Sequence, residues 1–279
     1  MSAQAALLPD GRRLHLNHGP IDLIIEADAP SRRAAYACAI ARFQTVLEEL
    51  VAELPTLRQP VCQAPLLGPV ARRMQAATLP HLPVFITPMA AVAGAVADEV
   101  LAAMAATNGL AKAHVNNGGD VAFHLSQGEA IVAAMPGGRV TLRARDAWRG
   151  IATSGWRGRS QSLGIADAVT VVARTAADAD AAATLIANAV DLPGHPAVHR
   201  RPARALKADS DLGDRLVTVA VDALTRNDVE TALDRGLATA QAMIARGLIG
   251  GAHLTLNTCH RATGAVAFNS PRLPEFTHA

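Results

Sequence analysis

The sequence predicts an α+β protein with a largely antiparallel sheet and helices packed against it. Short β-like runs follow one another between residues 113 and 173, with Gly or Pro between several of them, as in strands joined by turns. Along the whole chain, groups of adjacent strands are separated by single helices. Strands and helices do not alternate one by one, which argues against a doubly wound fold. Hydrophobic residues make up 50% of the chain and charged residues 18%, so we expect a packed core and exclude a disordered chain.

The individual elements are predicted from apolar spacing and from end signals. Apolar residues recur at three- and four-residue steps in the first helix, and Thr87 as N-cap with Pro88 as first helical residue opens the second. The predicted helices span about Arg32–Leu54, Thr87–Ala106, Ala176–Val190 and Asp228–Ala245. The predicted strands are Ile21–Ile25, Ala113–Asn116, Val121–Leu125, Ala130–Ala134, Val140–Ala144, Gly150–Thr153, Val169–Ala173, Leu216–Val221 and two weaker ones near Leu254 and Val266. Seven prolines from Pro55 to Pro88 predict an irregular crossover there.

Charge and composition exclude several classes of partner. The net charge is only +2 and aromatic residues make up 3%, so we expect no nucleic-acid partner. Cys38, Cys62 and Cys259 are too widely separated for a disulfide framework or a zinc motif. The N-terminal residues have no signal-peptide pattern, and prolines interrupt the charge-free stretch 74–97, so we expect a cytoplasmic protein without a membrane partner.

Glycines mark two candidate ligand-binding segments. Gly118 and Gly119, between two predicted strands, permit positive φ and a close approach of a ligand, and Asp120 can reach a ligand hydroxyl. The same residues are typical of a tight hairpin, and that alternative stays open. Gly94 lies inside the second predicted helix at a cost of about 1 kcal/mol relative to Ala, which indicates close approach of another backbone or of a ligand.

A third candidate segment follows the strand that begins at Gly150. Thr153, Ser154 and Gly155 end this strand, and Arg157 and Arg159 follow in the next loop. Hydroxyl groups, free amides and guanidinium groups are what a pyrophosphate requires. These five residues are therefore candidate pyrophosphate ligands, with a polar surface loop as the alternative.

The fourth candidate segment is a polar stripe on the helix after Thr175, where Thr175 and Asp178 have the spacing of a capping box. Asp180, Thr184, Asn188 and Asp191 fall on one narrow face of a helix that is otherwise apolar. Asp180 and Thr184 offer a carboxylate and a hydroxyl oxygen one turn apart, which suits a hard cation such as Mg²⁺. A solvated face of an amphipathic helix is the alternative. The acidic run 209–214 lacks the spacing of a calcium loop and is interpreted as a turn.

Taken in order, these segments resemble the ApbE family of FAD:protein FMN transferases, the thiamine biosynthesis lipoprotein ApbE among them. The matching segments are Ala93–Asp98, Gly118–Asp120, Ala152–Gly155, and Ala179–Asp180 with Thr184. The sequences of three segments resemble an uncharacterised ApbE-like family more closely still: TPMAAVAGAVAD, VNNGGD and GIATSGWRGRSQSLGIADAVTV. This closer resemblance covers about residues 14–221. The resemblance implies an ApbE-like fold, which we expect to form a single domain over residues 1–279.

The resemblance also implies a chemistry and a set of roles. Asp180 and Thr184, with a backbone carbonyl near Ala93, would ligate Mg²⁺, and Asp180 would thereby be catalytic. FAD would be the ligand or substrate. FMN would pass from FAD to a Thr or Ser of a target flavoprotein, with AMP as the leaving group.

The sequence departs from the family pattern in two places. Ala93 stands where the family usually has Lys, and the span Ser160–Ala168 lacks the usual H-x-x-D-P-x-T-G hairpin. Asp167 is the carboxylate in that span and is the candidate for the missing base. Two alternatives therefore stay open: a flavin- or nucleotide-binding module without turnover, and a small-molecule enzyme whose substrate is not a flavin. The oligomeric state also stays open.

Overall fold

A computed structural model describes residues 2–265 and 268–269 and has the mixed helix and antiparallel-sheet architecture that was predicted. The helices are α1 (Arg32–Leu57), α2 (Pro69–Thr78), α3 (Val92–Ala105), α4 (Ala176–Ala189), α5 (Ala203–Leu206) and α6 (Arg226–Ala245). The strands are β1 (Gln4–Leu7), β2 (Leu14–His18), β3 (Ile21–Ala27), β4 (Lys112–Asn117), β5 (Asp120–Leu125), β6 (Ala130–Met135), β7 (Gly138–Arg143), β8 (Gly150–Ser154), β9 (Ala168–Ala173), β10 (Val198–Pro202), β11 (Leu216–Val221), β12 (Ile249–Leu256), β13 (Cys259–Gly264) and β14 (Phe268–Asn269).

Nine strands form the main sheet, in the order β1-β2-β3-β4-β5-β8-β9-β12-β13, and each neighbouring pair is antiparallel. The β6–β7 hairpin leaves this sheet and pairs with β14, while β10 pairs with β11. Strand β5 therefore pairs directly with β8, through Val121 and Ile151. This pairing places the Asp120 end of β5 beside the Thr153 end of β8, where the candidate residues lie.

The helices cover the main sheet and pack against one another. Helix α1 packs on β3, α3 on β4 and β5, α4 on β8 and β9, and α6 on β12. Helix α4 lies between α3 and α6, and seven of its buried residues are alanines, so small side chains let the helices approach closely. The carboxylate of Asp98 on α3 accepts hydrogen bonds from the backbone N–H groups of Ala176 (3.0 Å) and Ala177 (2.8 Å), which anchors the positive N-terminal end of α4 to α3.

Two local predictions are wrong in part. The stretch from Pro55 to Pro88 is not irregular throughout, because α1 continues through Pro55 to Leu57 and α2 begins at Pro69. A proline in the last turn of a helix removes one backbone hydrogen bond, and a proline at the first position removes none. Thr87 and Pro88 occupy the predicted N-cap and first helical positions, but of a 3₁₀ turn that precedes α3, and the Thr87 hydroxyl donates to the Asp211 carboxylate and does not cap the helix. The predicted strand near Val266 lies outside the described residues.

One helical stretch in the described part of the chain, Pro88–Ala105, is long and apolar enough by length and composition to span a membrane, with a mean hydropathy of 1.4. Half of this stretch is buried inside the protein. Its helical part, α3, packs against α1, α4 and the sheet, so its apolar residues belong to the core.

Candidate functional site

A cleft of about 630 Å³ brings together segments that are far apart in the sequence. It lies among the start of α3, the β4–β5 turn, the loop after β8, one face of α4 and the loop before β11. The candidate residues that line it are Ala93, Gly118, Asp120, Thr153, Ser154, Gly155, Arg159, Asp180 and Thr184. Four short segments that the sequence marks as candidates therefore meet in one place.

Two aspartates from different elements, Asp180 on α4 and Asp120 on β5, lie in this cleft. The Oδ2 atom of Asp180 accepts a hydrogen bond from the backbone N–H of Gly94 at 3.1 Å. The Oδ1 atom of Asp120 accepts one from the backbone N–H of Thr153 at 3.2 Å. Each carboxylate is thus held by a backbone amide of a neighbouring element, which fixes its position in the cleft.

The environment of this pair disfavours two negative charges. Burial raises the pKa of Asp120 to about 7, although the Thr153 N–H and the charge of Arg159 act in the opposite direction. Burial and the nearby charge of Asp120 raise the pKa of Asp180 well above its ordinary value, against the N–H groups of Gly94 and Ala93. A proton or a cation beside the pair would relieve this repulsion.

Hydroxyl and carbonyl oxygens complete the set of potential cation ligands. Thr184 follows Asp180 by one helical turn and lines the same cleft. The carbonyl group of Ala93 belongs to the peptide unit whose N–H bonds Asp180, and its oxygen accepts a hydrogen bond from Asn117 Nδ2 at 3.1 Å. Among the residues described, no group of three or more His, Cys, Asp or Glu side chains is arranged to hold a metal ion. A cation here would therefore need these hydroxyl and carbonyl oxygens as well as carboxylates.

The polar stripe predicted on α4 faces the cleft along most of its length. Asn188 lines the cleft with Asp180 and Thr184, and its Oδ1 atom accepts a hydrogen bond from the backbone N–H of Leu163 at 2.9 Å. This bond holds the loop after β8 against α4. Asp191, at the end of the stripe, pairs with Arg200 and does not line the cleft.

The two arginines of the loop after β8 have different surroundings. Arg159 lines the cleft, and its guanidinium lies so close to Gly118 that an ideal Cβ there would be 2.0 Å from Nη2. Gly118 has a φ of +65°, which disfavours a residue with a side chain at this position. Arg157 lies outside the lining, stacks on Trp156 and pairs with Asp167 at 3.0 Å.

Three other candidates do not line the cleft. Asp167 accepts hydrogen bonds at both carboxylate oxygens, from Arg157 and from the backbone N–H of Asn257 at 2.6 Å, and it lies outside the cleft lining. Gly119 forms the exposed tip of the β4–β5 turn with a φ of +114°. The segment is therefore a tight hairpin, as the alternative interpretation predicted, and its other candidate residues also line the cleft. Gly94 is buried and contributes its backbone N–H to Asp180.

Sequence reasoning missed one wall of the cleft. The loop before β11, interpreted as a turn, supplies Lys207 and residues 209–212 to the lining, and Arg58 and Phe85 also contribute. No pattern in the sequence relates these residues to the Gly-Gly-Asp turn, because only the tertiary fold brings the loop to α4.

A larger cavity of about 890 Å³ lies elsewhere, between β4 and the β6–β7 hairpin. None of the candidate site residues lines it. Arg12 and Glu26, which do line it, form an ion pair with each other at 2.7 Å, and the Lys112 ammonium donates to the carbonyl of Ala130. The charges of Arg12 and Glu26 therefore offset each other, and the Lys112 ammonium is hydrogen-bonded within the protein.

The antiparallel sheet covered by helices matches the ApbE fold. The crystal structure of apo flavinyl transferase ApbE from Pseudomonas stutzeri matches 94% of this chain and 96% of its own, with a TM-score of 0.50 and 13% identity. At that identity the likeness establishes the fold alone.

The sequence model of the family described as AbpE bacteria matches residues 5–267, and the chain belongs to this family. Among curated proteins, a UPF0280 protein of Methanopyrus kandleri is 35% identical over 175 residues, which are 60% of this chain and 69% of the relative. A UPF0280 protein of Methanothrix thermoacetophila is 36% identical over 167 residues, covering 54% and 67% of the two chains.

Proposed function

We propose that the cleft binds a nucleoside diphosphate group, with a flavin dinucleotide as the first candidate ligand, and that binding depends on Mg²⁺. The observation that carries the proposal is the position of Asp180. It lies with Thr184 and the Ala93 carbonyl in a cleft that also contains a glycine turn and an arginine. Hard oxygen donors beside anion-binding groups are the combination that a metal-bound diphosphate requires.

The donor set fits Mg²⁺ in charge and in chemistry. The paired carboxylates of Asp120 and Asp180 repel each other, and a divalent cation would remove that cost. In the proposal, Asp180, Thr184 and the carbonyl oxygen of Ala93 hold the ion. When bound, Mg²⁺ would neutralise negative charge on the phosphoryl oxygens.

The remaining residues of the cleft would bind and orient the diphosphate. Arg159 offers a planar fork of N–H donors that can hold two phosphate oxygens at once. The hydroxyl groups of Thr153 and Ser154 line the same cleft, and Thr153 is fixed by a 2.8 Å hydrogen bond to the Thr170 hydroxyl. Because Gly118 has no side chain, the Arg159 guanidinium can lie directly against the β4–β5 turn.

By analogy with the flavinyl transferase of the same fold, we propose FMN transfer from FAD to a Thr or Ser of a partner protein as the reaction. In that reaction the oxygen of the target hydroxyl forms a new bond to the FMN phosphorus, the bond from that phosphorus to the bridging oxygen breaks, AMP leaves with this oxygen, and the hydroxyl proton passes to solvent. Asp167 lies outside the cleft lining and is engaged by Arg157, so the proposal gives it no role in this proton transfer.

One observation favours a second candidate function, a nucleotide-binding module without turnover. The span Ser160–Ala168 contains no histidine, and Asp167, its one carboxylate, has both oxygens bonded to other parts of the protein. A protein with this cleft can therefore hold a nucleotide and lack a base for the transfer.

Two measurements test the proposal. Isothermal titration of FAD and ADP into purified protein, with and without Mg²⁺, should show binding that requires the metal. Mass spectrometry of Thr- or Ser-containing target peptides incubated with protein, FAD and Mg²⁺ then separates the two functions, since an FMN adduct supports transfer. Metal-dependent binding without an adduct favours the module. Absence of nucleotide binding under every metal condition would exclude both and leave a small-molecule enzyme with another substrate.

A further inference from the structure

One wall of the cleft is a segment that we call the strap, residues 207–212, between the short helix α5 and strand β11. Lys207, Asp209, Ser210, Asp211 and Leu212 of the strap line the cleft. The strap is thus part of the binding surface, although it lies outside the four segments that suggested a ligand site.

Three consecutive strap residues are each bonded to a different part of the protein. Asp209 accepts from Arg58 Nη2 at 2.5 Å, and the Ser210 hydroxyl donates to Gln161 Oε1 at 2.6 Å. Asp211 accepts from the hydroxyl of Thr87, which precedes α3. Because these bonds reach the end of α1, the loop after β8 and the approach to α3, the fold fixes the position of the strap at the cleft.

The same bonds determine which strap charges remain available to a ligand. Arg58 is engaged by Asp209, and although desolvation opposes ionisation, Arg58 with help from Lys207 holds the pKa of Asp209 below its usual value. Within the described residues, the ammonium of Lys207 makes no ion pair or hydrogen bond, and neither does the guanidinium of Arg159. The cleft thus contains two cations that form no ion pair or hydrogen bond, one on each of two separate walls, although the charge of Lys207 acts on Asp209 and that of Arg159 on Asp120.

We propose that Lys207 binds the second phosphate of a diphosphate ligand and thereby makes the cleft select diphosphates over monophosphates. This inference rests on the proposed function, because it assumes that a nucleotide occupies the cleft. In the proposal, Arg159 and the metal hold one phosphate, and the ammonium of Lys207 offsets the extra negative charge of the second. A lysine suits that position because its flexible stem and compact charge tolerate variation in phosphate position.

The test compares Lys207→Gln with Arg204→Gln, a matched control in the adjoining helix. Arg204 is exposed, pairs with Asp214 and does not line the cleft, so its substitution removes one positive charge nearby without changing the binding surface. The affinities of ADP and AMP are measured by titration calorimetry with Mg²⁺ at two salt concentrations. We expect Lys207→Gln to weaken ADP binding by about tenfold, leave AMP binding unchanged and reduce the salt dependence for ADP.

The control Arg204→Gln should keep the wild-type ratio of ADP to AMP affinity, and Lys207→Arg should restore most of the preference. An unchanged ratio in Lys207→Gln would show that this lysine does not contact the second phosphate. An equal loss of ADP and AMP affinity would also overturn the inference, since it would indicate a general electrostatic effect. Wild-type protein that binds neither nucleotide would overturn the proposed function itself, a result that the variants cannot imitate.

Discussion

The α-carbon of Gly94 faces the carbonyl oxygen of Ala176 so closely that an ideal Cβ on residue 94 would lie 2.2 Å from that oxygen. Helices α3 and α4 can therefore meet at this point only because residue 94 has no side chain. Two causes were predicted for a glycine here, the close approach of another backbone or of a ligand, and the structure shows the first. The same contact brings the Gly94 N–H to Asp180.

Gly94→Ala should therefore destabilise the protein, by about 1 to 3 kcal/mol if the helices can separate slightly. Helix propensity alone predicts the opposite sign, since Ala is favoured over Gly by about 1 kcal/mol inside a helix. Urea unfolding of the two proteins at neutral pH decides between these effects. A higher free energy of unfolding in the variant would show that α3 and α4 are not in the contact described.

Asp180→Asn should weaken ligand binding without lowering the stability of the protein. Removing the charge should weaken Mg²⁺-dependent nucleotide binding by about tenfold or more. It should leave the free energy of unfolding unchanged or higher, because the amide oxygen can still accept the Gly94 N–H and the repulsion by Asp120 is gone. Calorimetric titration and thermal unfolding measure the two quantities. Loss of stability with unchanged nucleotide affinity would indicate a purely structural aspartate.

Arg159→Ala and Arg157→Ala should differ although the two residues share one loop. Arg159 lines the cleft, so its loss should weaken ADP binding by about tenfold. Arg157 points to Asp167 outside the cleft, so its loss should change ADP affinity by less than roughly twofold. Both side chains are exposed, so melting temperatures should stay close to that of the wild type. Equal losses of affinity would place both arginines at the ligand.

Acid should destabilise the protein partly through His81, which is buried in the turn after α2. Burial, with a smaller contribution from the charge of Arg246, lowers the pKa of His81 to about 4. The unfolded chain binds the proton first, so this contribution to stability is complete above pH 6.5 and is lost as the pH falls towards 4.

Between pH 7.5 and pH 5 the loss from this one group should be about 2 kcal/mol. Urea unfolding of the wild type and of His81→Gln at both pH values separates the contribution of His81 from that of the other histidines. The variant should lose about 2 kcal/mol less than the wild type over this interval. Identical pH dependence in the two proteins would show that His81 is accessible to protons in the folded state.

The sequence predicted those features that depend on local spacing. The polar stripe on α4 follows from helical periodicity. The cap at Thr175 could be predicted because a hydroxyl residue stands three positions before Asp178, whose N–H donates to the Thr175 hydroxyl in the structure. The pairing of β5 with β8 was not readable, since a hairpin intervenes and no local signal specifies the partner. For the same reason Arg157 and Arg159 looked equivalent in sequence, and Lys207 gave no sign of lying at the cleft.

The order of strands in the main sheet determines when the cleft can form during folding. Strand β8 must pair with β5 across the intervening hairpin, and such sequence-distant contacts form slowly because loop closure costs chain entropy. The cleft, which draws on residues from Arg58 to Leu212, can exist only after that closure. Ligand binding is then linked by mass action to the cooperative folding of the whole sheet. Thermal-shift screening of the intact chain should therefore detect any true ligand, whereas fragments that end before the strap should bind none.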